Sequence, residues 1–261
     1  MDPLSIKNHL LPRDWIALIL TMALIGLRSM VPTLRQQRKI PERWIASFSG
    51  GFAVAYVFLH LLPGLEESNQ NLGELLAQYY PLKQWPLLDL GVYLTALAGF
   101  LFYFGLERRI ENKEAKNKEA KALDFYLHLS SILLLSFIIT YTMPLRVEVG
   151  KAFAILFTFV MGLHFVIVDR NMEKHFPRYF KKRGMMLLNL ALALGWILAA
   201  VTEPNNALLV VFLTSFLGGT VLFSVFRNEI PRTHQSTYPA FLIGVGLGTA
   251  MLVYLTILEG H

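Results

Sequence analysis

Two histidines stand inside long apolar runs, His128 in FYLHLSSILLL and His164 in VMGLHFVIVDR. An ionisable side chain in such a run costs about 2.5–3.5 kcal/mol on membrane insertion and usually marks a pathway or a site. Asp124 precedes His128 by four residues and shares its helix face, the spacing at which a carboxylate orients or co-ligates with an imidazole. Asp169 follows His164 by five, about 140° round a helix, and fits less well. Counted from the ends of their own runs at about 1.5 Å per residue, both imidazoles are expected roughly 8–9 Å inside the same membrane surface, with Asn189 at similar height. Coordination of a divalent cation is the chemistry this set suggests. There is no cysteine, so thiolate zinc sites are excluded, and His128, His164, Asp124, Asp169 and Asn189 are the donors that remain. The simpler alternative is a pair of neutral histidines hydrogen-bonded within a packed bundle.

The elements that must position these groups are membrane spans. The chain has 261 residues, 54% apolar and only 16% charged, and apolar runs near spanning length recur throughout it, which a soluble core does not need. Eight spans are expected, at 15–34, 44–62, 87–106, 123–143, 147–170, 184–201, 207–226 and 239–258, in a single all-α transmembrane domain. The segment before the first carries no small-residue cleavage site, so that span is expected to persist. Of the 24 Lys and Arg residues, 18 fall in the odd connections and five on the other side, which places the odd connections in the cytoplasm and both termini outside. The excess of positive charge thus reflects orientation and calls for no nucleic-acid partner. The charged linker 107–123 is expected to extend a neighbouring span as a solvated helix touching anionic headgroups.

Other residues invite structural roles. Arg28, inside the first span, is expected to snorkel to the inner surface. His60 ends the second span in HLLPGLEE, where it is expected to help close the helix before Pro63 and Gly64, with residues 63–86 as an outer loop. Admission of cations beside Glu66 and Glu67 is its sharper reading. Gly244 with Gly248, and Gly218 with Gly219, are expected to let neighbouring helices approach closely. No P-loop, zinc-protease helix or nucleophile elbow occurs, so no enzyme is expected.

The order of features resembles the ZIP (Zrt/Irt-like) family of divalent-metal transporters. RWIASFSGGFAVAYVFLHLLPGLEES at 43–68, LTALAGFLFYFGLER at 94–108, GGTVLFSVFRNEIPR at 218–232 and AFLIGVGLGTAMLVYL at 240–255 are similar to its second, third, seventh and eighth spans. The resemblance implies an eight-helix bundle with extracytoplasmic termini, a homodimer, no resident cofactor and zinc as substrate. His128 and His164 match the family's ligand positions in spans four and five. Acidic residues of the family's motifs are replaced here by Ile132 and Val168, which leaves at most one loosely held ion. A secondary transporter with one altered site between spans four and five is the first expectation, and a ZIP-fold protein that has lost transport and serves as a membrane subunit is the second.

Overall fold

The computed structural model describes residues 11–36, 42–79, 90–114, 122–177, 179–202, 207–230 and 237–259. Every regular element among them is helical: α1 (Pro12–Gln36), α2 (Glu42–Tyr56), α3 (Leu62–Tyr79), α4 (Gly91–Glu114), α5 (Ala122–Tyr141), α6 (Met143–Val149), α7 (Lys151–His175), α8 (Lys181–Thr202), α9 (Ala207–Ser224) and α10 (Tyr238–Glu259). Among the described residues, six helices are long and apolar enough to cross a bilayer, and the chain is an integral, multi-pass membrane protein. The first and third expected spans are helices of 25 and 24 residues.

Three local departures from expectation have a common cause in proline. The second span does not end at Pro63. A π turn, Val57–Leu61, joins α2 to α3, and Leu62 donates its N–H to the carbonyl of Val57 five residues back. Proline has no N–H and its ring crowds the preceding turn, so widening that turn by one residue lets the helix pass Pro63 unbroken. His60 therefore lies within a continuous helix, and 63–79 is helical where a loop was expected. A second π turn, Val225–Glu229, extends α9, with Ile230 N–H bonded to the Val225 carbonyl at 3.1 Å, and it too immediately precedes an Ile-Pro pair. Pro144 has the opposite effect. It interrupts the helix after Tyr141, and the expected outer connection of spans four and five becomes the short helix α6. The linker helix reaches Glu114 at the end of α4, and residues 115–121 of the charged linker lie outside the described residues.

The helices group into two compact units. The first contains α1, the end of α4 from Ile110 onward, and α5 to α8. In it α5 and α7 run antiparallel, since Phe125 meets Phe176, Ser136 lies level with Asp169, and Met143 meets Thr158. On α8, Gly195 sits against Phe137 and Thr140 of α5, where any β-carbon would overlap backbone and side chain. α8 runs antiparallel to α1, with Trp196 donating to the Asp14 carbonyl at one end and Asn189 to Ser29 further along.

The second unit contains α2, α3, α4 up to Arg109, α9 and α10. Its helices cross at glycines. Gly51 abuts the carbonyl of Phe241 while Gly244 abuts that of Phe48, and Gly219 abuts Ala96 while Gly99 abuts Phe216. A β-carbon on Gly248 would lie 3.0 Å from that of Ala55. The close approach expected at Gly244, Gly248 and Gly219 is present, and it lets dispersion and Cα–H contacts replace the hydrophobic drive that lipid removes. α2 and α10 run one way in this unit. α4 and α9 run parallel to each other, as the successive pairs Ala96 with Gly219, Phe100 with Phe223 and Glu107 with Asn228 require, and α9 opposes α2, since Phe58 meets Phe226 while Leu61 and Leu65 meet Gly218.

Candidate functional site: a buried ion pair among α1, α5 and α7

The most strongly polar feature inside the first unit is formed by Arg28. Its side chain is 0% exposed and that of Asp169 is 2% exposed. Arg28 Nε donates to Asp169 Oδ2 at 2.7 Å and Nη2 donates to Oδ1 at 2.7 Å, a bidentate fork, while Nη1 donates to Ser136 Oγ at 3.1 Å. Phe165, one turn before Asp169, presents its ring face 4.2 Å from the guanidinium carbon. All three guanidinium nitrogens are satisfied, each by a helix neighbour, and both carboxylate oxygens are used. Buried charges of opposite sign persist only with such complete pairing, because attraction at an effective dielectric near 20 returns about 4 kcal/mol at 4 Å against a desolvation cost of several kcal/mol per ion.

This geometry corrects the expectation for Arg28. Its side chain turns into the bundle, buried and paired there, instead of extending along the helix toward the surface. It also assigns Asp169, a candidate metal ligand, to a different partner. The signal for this was present in the sequence: an arginine inside a span requires a counter-charge, and Asp169 is an acidic residue in a facing apolar run.

The two histidines are buried, His128 at 5% and His164 at 2% exposure, as an interior role requires. They are not level, however. His128 is eight residues below Ser136 on α5 and His164 is five residues above Asp169 on α7, so the antiparallel register separates them by roughly 15–20 Å along the bundle. His128 instead lies beside Phe176, ring centroids 6.2 Å apart, while His164 lies 6.3 Å from Phe165. Two ligands of one zinc ion sit about 2 Å from it, so these two imidazoles cannot share an ion. The positions Ile132 and Val168 are buried in one apolar cluster with Leu129, Met172 and Phe176.

The remaining candidates disperse. Asp124 is buried one turn before His128 and forms an ion pair with Lys113 of α4. Asn189 donates to Ser29, the neighbour of Arg28, at 3.0 Å. His60 sits in the first π turn of the other unit, half-buried, with its ring 5.1 Å from that of Tyr56. Among the described residues no three His, Asp or Glu side chains come together as a metal centre would need. Compared with protein-family models and with curated proteins, the chain matches none.

Proposed function

We propose that the chain is a ZIP-like, eight-span protein with extracytoplasmic termini, homodimeric as the resemblance implies, in which the metal route between spans four and five is lost and the chain serves as a non-transporting subunit of a membrane complex. The observation that carries this reading is the Arg28–Asp169 fork. A divalent cation leaving water must be compensated by uncommitted carboxylates or by several converging neutral donors. In the first unit Asp169 is bound through both oxygens to Arg28, Asp124 is paired with Lys113, and the histidines stand too far apart to act together. The eight-span path is supported by helix direction: α1 and α7 oppose α8 and α5 respectively, and α2 and α10 oppose α9, as alternate crossings demand.

A second reading, slow passage of one divalent cation such as zinc, is favoured by one observation, the burial of Asp124 and His128 one turn apart on α5. Zinc and cadmium flux into vesicles reconstituted with the full chain separates the two. We expect flux equal to that of protein-free vesicles, and zinc titrations indistinguishable between the wild type and a His128→Ala, His164→Ala double variant. Flux that disappears in the double variant would replace this proposal with the transporter.

A further inference from the structure

The turn between α7 and α8 joins two helices that are each long and apolar enough to cross a membrane, so it stands at a membrane surface whichever way the chain is oriented. From Arg170 to Arg183 the sequence carries six basic residues and one acidic residue, Glu173. Orientation alone would be served by the same charges on a loose loop. Here the turn itself is clamped at Phe176 and Phe180.

Phe176 and Phe180 are buried in a cluster with Ile110, Phe125, Leu129 and Leu188, and the backbone closes over them, with Tyr179 and Phe180 N–H both donating to the Phe176 carbonyl at 3.1 and 3.0 Å. Tyr179 stacks on Phe125 with centroids 5.4 Å apart. The outer edges of Tyr126 and Tyr179 remain exposed, at 60% and 41%. Lys174 and Arg183 are exposed and Arg170 is half-buried at the same end of α7 and α8. Tyrosine rings at the headgroup level anchor a surface in the interface, and cations beside them attract phosphate.

We infer that this corner is a docking site for the phosphate headgroup of an anionic membrane lipid, with Arg170, Lys174 and Arg183 supplying the charge and Tyr126 and Tyr179 lying along the acyl–headgroup boundary. The inference is independent of whether the chain transports metal. Each basic side chain near an anionic surface is worth about fivefold in affinity, so removing three should cost roughly 100-fold.

The test is native mass spectrometry of the full chain released from detergent containing equal phosphatidylglycerol and phosphatidylcholine. The wild type should retain phosphatidylglycerol selectively, and an Arg170→Gln, Lys174→Gln, Arg183→Gln variant should lose that selectivity while keeping its helical circular dichroism. Millimolar inorganic phosphate should leave the lipid bound, since free phosphate lacks the acyl chains that the tyrosines line. A control removing equal charge at Lys7, Lys83 and Lys151, which the charge count assigns to the opposite face, should retain the preference. Equal retention of both lipids by the wild type, persistence of selectivity in the triple variant, equal loss in the control, or displacement by phosphate would each overturn the assignment.

Discussion

Replacing Asp169 by Ala leaves the Arg28 guanidinium in a site with 0% exposure, holding only the Ser136 hydroxyl and the Phe165 ring face. A guanidinium cannot discharge by losing a proton, so the whole desolvation cost of the ion falls on the folded state. Orphaning one member of a buried pair costs about 3–5 kcal/mol. For a chain of this size each kcal/mol corresponds to about 2–4 °C, so the midpoint of thermal unfolding should fall by about 10 °C. Arg28→Lys keeps the charge but not the fork and should lie between the two. An Arg28→Met, Asp169→Leu double variant removes both ions and fills the space with apolar atoms, and it should return to within about 2 kcal/mol of the wild type or exceed it. Tryptophan fluorescence in detergent reads the transition, because Trp196 is bonded to the Asp14 carbonyl at 3.0 Å across α8 and α1 in the same unit. If Asp169→Ala melted within about 1 °C of the wild type, or the double variant were no better than the single one, the ion pair would not be holding α1 to α7 and the reasoning would fail.

The register of α5 against α7 predicts that, in this cysteine-free chain, Phe125→Cys with Phe176→Cys joins through a short bifunctional thiol reagent whereas His128→Cys with His164→Cys does not; the reverse pattern on gels would restore a shared histidine site. Gly195→Ala should cost about 1–3 kcal/mol by forcing α8 from Phe137 and Thr140, while Gly26→Ala and Gly105→Ala, where a β-carbon meets nothing within 4 Å, should be neutral or gain up to about 1 kcal/mol in unfolding midpoints. Single cysteines at Glu67 and Lys116 should react with an impermeant maleimide from opposite faces of sealed vesicles, and labelling from the same face would end the eight-span topology.

Residue types and their spacing along the chain were enough to read the membrane class, the apolar helices and the glycines where they cross, because each depends on local composition: a run of apolar residues crosses lipid whatever surrounds it, and a residue without a β-carbon admits a neighbour wherever one packs. The same local reading misjudged Pro63, since a π turn is set by how the flanking helices pack as much as by the proline itself. It also placed His128 and His164 at one depth by measuring each from the end of its own run. Helix ends are not level in a bundle. The sliding of α7 past α5 is fixed by contacts far apart in sequence, Phe125 on Phe176 and Arg28 bridging Ser136 and Asp169. Only the tertiary structure could therefore decide that Asp169 answers Arg28: the partner of a buried charge is chosen by which helices lie side by side and at what register, and neither quantity is written in any single helix.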